Sequence, residues 1–471
     1  MTHLSVPRTL SERLSLISGV YSAVSDDGNL ILATSHRTEA LGKSASWKRA
    51  LLHRLATEEH STADLQALAR DPDGAADSLG FVDTLKNSGW LMTTVVQGDR
   101  PLYSVRPWRR PSAPRPCDPG DLMLSRFTVL RREGDQIVVE SPLAWGDVHV
   151  HDPTAMALLG TLTGAKGTEH PPGLASAGLT RRMLDDLRWT GLAVPVSDGE
   201  DAELRVGQWR AHELWFHRRT RASERASLGA GYGRTRWGHE RYEPLHEQRE
   251  RYSGTAIDLH RPDLDVLRQD DIPLTVALED RRSARSHDDF SPISLAQLGE
   301  LLFRCARART SHDRGDTTSP SRPYPAGGSV YELELYPVVR KVSGLEAGMY
   351  HYDPHEHRLR LVREPGREVG RLLSAAVRAT SAPHLPQVLL VVTARFGRLM
   401  RTYEQMPYSL LLKHVGVLFQ TIYLVATSMG LAACALGGGD ADAFNEAAGV
   451  DYTMESAVGE FMLGSRAAGT D

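Results

Sequence analysis

The segment Asp280-Arg281-Arg282-Ser283-Ala284-Arg285-Ser286 gathers three guanidinium groups around the Ser283 hydroxyl. Guanidinium forks and a hydroxyl can bind phosphate oxygens together. A solvated basic surface is the plain alternative. Further on, Arg322-Pro323-Tyr324-Pro325-Ala326-Gly327-Gly328-Ser329-Val330-Tyr331 carries a glycine pair. Without a Cβ, that backbone can approach a flat ligand and offer its amides to ring heteroatoms. In Leu431-Ala432-Ala433-Cys434-Ala435-Leu436-Gly437-Gly438-Gly439-Asp440, three glycines follow a short apolar run. That pattern reads as a strand leaving into a close-approach loop, or as a simple turn. The tail Glu460-Phe461-Met462-Leu463-Gly464-Ser465-Arg466 reads as a final strand delivering one arginine, a second phosphate ligand.

These segments need elements to position them. Ser294 to Ala306 has helical apolar spacing at Leu295, Leu298, Leu301 and Leu302, with Ser294 as cap and Gln297 three residues on. Tyr331 to Arg340 and Gln387 to Ala394 read as strands. Leu410 to Met429 reads as a long apolar helix ended by Gly430. At about 20 residues it would span ~30 Å, the width of a domain. Lys413, His414 and Gln420 interrupt it, so a buried central helix is expected rather than a membrane span. His351, His355 and His357 surround an Asp-Pro turn, so an exposed hairpin is expected there rather than a metal site. Asp71-Pro72-Asp73-Gly74 reads as a turn, lacking the remaining ligands of a calcium loop.

The N-terminal half contains two similar stretches. Residues 83–91 and 185–193 each read as a helix end capped by glycine, Gly89 and Gly191. Each then enters a strand, a polar turn (Gln97-Gly98-Asp99; Ser197-Asp198-Gly199) and a further strand. Each part opens with a hairpin, one turning at Asp26-Asp27-Gly28, the other at Glu133-Gly134-Asp135. A tandem duplication explains this. Hairpin, helices and terminal wing make a winged-helix-like plan, which often binds DNA through a basic helix. Here Asp185-Asp186-Leu187-Arg188 is close to neutral. A peptide adding along a strand edge needs little charge and is the preferred reading.

The chain has 471 residues, 41% hydrophobic and 24% charged, with net charge −4. This excludes a mostly disordered chain and argues against a nucleic-acid partner. Cys117, Cys305 and Cys434 are too scattered for a zinc site. Met1 to Arg8 lacks a signal-peptide pattern, so a cytoplasmic location with no membrane partner is expected. Only six of the 55 basic residues are lysine. The expected organisation is a first module at 1–105 and a Pro-rich linker at 106–121, then a second module at 122–207. An Arg-rich, Gly-rich connector at 208–262 and a third domain at 263–471 complete it.

Taken in order, the four segments resemble the FMN-dependent nitroreductase superfamily. The likeness is closer to its SagB/ThcOx-type branch, the azoline dehydrogenases of thiazole/oxazole-modified peptide pathways. It is carried by Arg281 to Arg285, Arg322 to Gly328, Tyr331-Glu332-Leu333-Glu334-Leu335-Tyr336 and Gly348-Met349-Tyr350-His351-Tyr352-Asp353-Pro354. Leu411-Leu412-Lys413-His414-Val415-Gly416 and Gly430 to Gly439 continue it. It covers roughly 263–466. The two repeats resemble the peptide-clamp modules that precede the catalytic domain in some members.

The resemblance implies an α+β fold: a nitroreductase-like FMN-binding sandwich, preceded by two winged-helix-like clamp modules. It also implies a homodimer around two FMN molecules. The substrate would be a ribosomally made precursor peptide, with a cyclodehydratase complex as a further partner. Arg281, Ser283 and Arg285, with Arg282, would hold the FMN phosphate. Pro325, Ala326, Gly327 and Gly328 would line the isoalloxazine, and Gly437, Gly438 and Arg466 would approach from the far side. Ala326 stands where the family has serine, which loses only a hydroxyl contact. Members often carry a Lys-Tyr pair before the long helix; here Thr402 stands at the lysine position and Tyr403 keeps the tyrosine. Threonine is no base near neutral pH, so Tyr403, Lys413, His414 and Arg401 are the candidates for proton removal. Two alternatives stay open: a flavin oxidoreductase of this fold with another substrate, which Thr402 motivates, and a non-catalytic peptide-binding scaffold.

Overall fold

The computed structural model describes residues 9–34, 37–68, 78–111, 121–162, 175–196, 200, 202–221, 243, 245–246, 248–309, 313–314, 317–318 and 321–467. The chain divides into two compact units, Met1–Tyr232 and Gly233–Asp471.

In the C-terminal unit, every residue of the strand Leu333–Val339 is buried. Its neighbour Val388–Arg395 is buried at all but its last position. Strands without a polar face must be covered on both sides. They form the middle of a seven-stranded sheet ordered Ala256–Asp258, Arg358–Arg363, Gly348–Asp353, Leu333–Val339, Val388–Arg395, Glu455–Ser465, Leu431–Ala435. All pairs are antiparallel. Alternation along Leu333–Val339 sends Leu333, Leu335 and Val339 to one face, Tyr336 and Val338 to the other.

The first face packs against the helices Leu295–Ala306 and Pro407–Ser428, through Leu298, Leu301 and Leu302 and through Leu411, Val415, Leu418 and Ile422. The second packs against Arg367–Thr380 and Ala441–Ala448, through Val369, Leu372 and Leu373 and through Ala443 and Phe444. The capping box of Ser294 and Gln297 is formed. The long helix ends as expected, with Gly430 left-handed at φ 67°. By length and composition it could cross a membrane. It is not buried all round: Leu411, His414, Val415, Leu418, Ile422, Tyr423 and Ala426 face inward, while Leu412, Lys413, Gly416 and Val417 are exposed.

In the N-terminal unit the two repeats share one seven-stranded sheet, ordered His60–Ser61, Leu10–Leu16, Leu91–Gln97, Arg100–Pro107, Gly146–Val150, Gln136–Glu140, Val129–Glu133. The first four strands come from the first repeat and the last three from the second, joined where Val105 faces Val148. Glu12 also ties the repeats, pairing with Lys86 at 2.7 Å and with Arg182. Arg182 and Tyr103 then converge on the buried Asp186 carboxylate, each at 2.8 Å. The first repeat keeps the hairpin, helix, wing order. Tyr21–Val24, Asn29–Ala33 and Thr38–Lys43 form a three-stranded sheet, and the helix Ser78–Asn87 ends at left-handed Gly89. The second departs from it. After the helix Ala177–Thr190 and left-handed Gly191, Ala193–Pro195 pairs with Leu122–Leu124, and no second wing strand follows among the described residues. Asp71 to Gly74, the turn at 197–199, most of the Pro-rich linker and residues 222–242 of the connector, with its glycine-rich part, lie outside the described residues.

The histidine hairpin is a correction. Gly348–Asp353 and Arg358–Arg363 do form a hairpin and His355 is exposed, yet His351 and His357 are buried. The Tyr252 ring packs on His351, 5.7 Å between centroids, and His351 Nε2 lies 3.1 Å from Glu334. Burial pulls the Glu334 carboxyl upward, but the His351 hydrogen bond and nearby arginines hold it below its ordinary value. No cluster of metal-binding side chains exists among the described residues.

Candidate functional site

The turn Pro325–Gly328 leads into the strand Leu333–Val339, and its backbone is left-handed at Gly328, Ser329 and Tyr331, with φ 61°, 54° and 46°. Side-chain-bearing residues in that region cost energy, so the turn must be held by its surroundings. Tyr324 is buried edge-on against Tyr331. Buried Arg322 donates to the Ala306 carbonyl at 2.9 Å. Arg398 donates to the Val330 carbonyl at 2.6 Å. Gly327 donates its amide to His414 Nε2 at 2.7 Å. A Cβ on Gly328 would lie 2.9 Å from the Tyr403 hydroxyl, so that phenol sits directly over the glycine. The structure therefore brings Tyr403, His414, Gly327 and Gly328 together. Tyr403 is half-buried, and its hydroxyl has no hydrogen-bond partner among the described residues.

The basic segment is anchored by a residue that the sequence reading left out. Tyr423, on the long helix, accepts the Ala435 amide at 2.8 Å, and its hydroxyl shares a hydrogen bond with Ser283 Oγ at 2.8 Å. The Arg281 guanidinium lies 5.2 Å from the Tyr423 ring centre, within cation–π range. Ala284 donates to the Ala433 carbonyl, so the segment runs beside the strand that feeds the glycine loop. Arg282 and Arg285 are exposed. Arg285 lines a cleft of ≈ 410 Å³ with His287, Phe290, His384 and Leu385. Arg466 reaches the same edge, bridging to His287 through the backbone and to the Leu431 carbonyl at 3.5 Å. The signal for Tyr423 was available: a tyrosine on the apolar face of a helix needs a partner for its hydroxyl.

Gly437 and Gly438 are exposed, with open space where a Cβ would project. Gly439 differs: a Cβ there would overlap the Glu460 carboxyl. Glu460 is 5% exposed. Burial, with the neighbouring Asp440 carboxylate, pushes its pKa up to about 7. Glu332, the buried partner of His414, was also missed in the sequence reading. Its signal lay in Tyr-Glu-Leu-Glu-Leu-Tyr, which carries two carboxylates into a strand with no polar face.

Of the candidates for proton removal, Lys413 is not brought to the turn. Lys413 is exposed, on the side of its helix away from the inward-facing His414. Thr402 Oγ1 donates to the Arg398 carbonyl at 3.4 Å.

Helices on both faces of an antiparallel sheet make the C-terminal unit an α+β sandwich, with a glycine turn and a basic segment at its rim. The nitroreductase family profile matches residues 278–465. A curated Methanocaldococcus jannaschii protein that bears the nitroreductase name is 32% identical over 184 residues, covering 39% of this chain and 85% of that one. The chain belongs to the nitroreductase family and is an oxidoreductase. A second profile, cyanobactin oxidase ThcOx, matches residues 122–226. The chain is also similar to solved structures. A Ralstonia eutropha JMP134 protein that bears the nitroreductase name is 25% identical, with TM-score 0.35, covering 48% of this chain and 99% of that one. A chain of the E. coli microcin synthetase McbBCD complex, with truncated pro-MccB17 bound, is 21% identical, with TM-score 0.34 and coverage of 55% and 92%. An Exiguobacterium sibiricum 255-15 protein that bears the nitroreductase name, in complex with FMN, is 12% identical, with TM-score 0.29 and coverage of 41% and 88%. Family membership rests on the sequence matches.

Proposed function

We propose that this protein is an FMN-dependent dehydrogenase that oxidises azolines to azoles in a ribosomally synthesised precursor peptide. The observation that carries the reading is the union, in one chain, of a nitroreductase-family domain and a segment matching the cyanobactin oxidase ThcOx profile.

The residues present fit FMN. Arg281 and Ser283, braced on Tyr423, with Arg285 and Arg466 on the same edge, would hold its phosphate. Exposed Arg282 would add charge. Pro325 to Gly328 would lie against the flat ring, with Gly437 and Gly438 leaving room on the other side. When bound, FMN supplies the two-electron acceptor that takes hydride from the azoline carbon. The chain must then receive the proton lost from the neighbouring carbon. Tyr403, in its phenolate form, is the first candidate, because its phenol oxygen lies over Gly328 without another partner. His414 has both ring nitrogens engaged and holds the turn instead.

The exposed edge strand Tyr21–Val24 supports a peptide-gripping role for the N-terminal unit, since an added strand needs only backbone partners there. A homodimer, a cyclodehydratase partner and a cytoplasmic location belong to the same reading. Thr402 favours a second reading, the same flavin chemistry on a different substrate. The test is to mix purified protein, FMN and a heterocyclised peptide. The first reading expects a yellow protein and a loss of about 2 Da per ring, the two hydrogens of a dehydrogenation. A yellow protein that leaves the peptide mass unchanged supports the second reading, and a chain that binds no FMN sinks both.

A further inference from the structure

The hydrogen bonds of His414 fix its tautomer. A backbone amide only donates, so Nε2, 2.7 Å from the Gly327 nitrogen, is the unprotonated acceptor. Nδ1, 2.7 Å from Glu332 Oε1, carries the proton and donates it to the carboxylate. His414 is 4% exposed and Glu332 0%, so water replaces neither partner. The other carboxylate oxygen, Glu332 Oε2, is buried with no hydrogen-bond partner. Leaving a buried oxygen unsatisfied is costly, and a cost carried beside a glycine turn points to function rather than stability.

The pair acts on one peptide group. Gly327 gives its amide to the histidine, Ser329 gives its own to Ala326, and Val330 closes back on Gly327. The amides on either side of Gly327, those of Ala326 and Gly328, have no acceptor among the described residues. Gly328 is exposed and left-handed, at φ 61°.

We propose that Glu332 and His414 are positioning residues that tie down the Gly327 amide and so present the Ala326 and Gly328 amides as free donors to an acceptor atom of a bound flavin ring. This rests on the reading of the turn as the flavin-facing segment. Glu332 selects the tautomer, His414 holds the peptide, and neither touches the reacting atoms.

The test uses the full-length chain with His414→Leu, Glu332→Ala and His414→Gln, the last of which returns an acceptor oxygen near the Nε2 position. Amide exchange at Gly327 is measured without FMN, and FMN affinity and the flavin absorption spectrum are measured on loading. His414→Leu and Glu332→Ala should each speed Gly327 exchange and weaken FMN binding by about tenfold, the scale of one hydrogen bond to a buried partner. His414→Gln should restore both to within roughly threefold of wild type, along with the wild-type spectrum. If the wild-type chain binds no FMN, the flavin-facing reading fails by itself. If it binds FMN and a folded His414→Leu chain binds equally well or keeps Gly327 protected, the positioning role is overturned. Failure of His414→Gln to recover either readout overturns it too.

Discussion

Gly328→Ala is the most informative single substitution, because its two consequences can be separated. The residue sits at φ 61°, where a Cβ costs about 1–2 kcal/mol of backbone strain. Gly344 lies in the same unit at φ 84°, and its added Cβ would meet nothing closer than Leu295 at 3.8 Å. Gly344→Ala therefore carries the strain alone. At Gly328 the new Cβ meets the Tyr403 hydroxyl at 2.9 Å, so the phenol must retreat by roughly half an ångström to reach ordinary contact. That end of the side chain can move cheaply, so both variants should lose similar stability, about 2–8 °C in Tm for a unit of this size. Turnover should separate them. If the Tyr403 oxygen handles the proton as proposed, displacing it by a fraction of an ångström should lower kcat about 10- to 100-fold in Gly328→Ala, with Gly344→Ala near wild type. The assay is azole formation by mass, with Tm from thermal unfolding. In the double variant with Tyr403→Phe, the Gly328→Ala loss should shrink or vanish, since both act through one hydroxyl. Equal turnover in Gly328→Ala and Gly344→Ala would refute the proposed role of Tyr403 in proton removal.

Other outcomes follow from the same geometry. Tyr423→Phe removes the hydroxyl that braces Ser283, and FMN affinity, read by flavin fluorescence, should fall about 5- to 30-fold. Lys413→Ala alters an exposed side chain away from the turn, and kcat should stay within about threefold of wild type. Glu460, with its pKa pushed up to about 7 from an ordinary 4.5, binds its proton more tightly folded than unfolded. The stability it contributes is full below about pH 4.5 and is lost as pH rises through about 7, some 3 kcal/mol across that window. Glu460→Gln should abolish that part of the pH slope in denaturant unfolding; an unchanged slope would place the titration elsewhere.

Local features were legible in the sequence. The Ser294–Gln297 capping box, the glycine stops at Gly89, Gly191 and Gly430, and the central strands each follow from patterns a few residues wide. The basic segment and the glycine turn stand out by residue type alone. What stayed hidden depends on distant contacts. The hydrogen bond between Gly327 and His414 joins residues 87 apart, and Glu332 becomes their partner only once the strand and the long helix pack. A nearly all-apolar helix does not announce which side is buried, so Lys413 and His414 looked equivalent as candidates although they face apart. The Asp-Pro turn correctly marked a hairpin, but the covering of His351 by Tyr252 comes from a segment a hundred residues earlier. The two repeats were visible as similar strings, whereas their merger into one sheet rests on Val105 facing Val148.

The central claim is tested most directly by anaerobic mixing of the FMN-loaded protein with a heterocyclised peptide, followed in the visible spectrum. The account predicts loss of the oxidised-flavin absorbance in step with azole formation, about one flavin reduced per ring oxidised. A spectrum that stays unchanged, with the peptide mass unaltered, would contradict it.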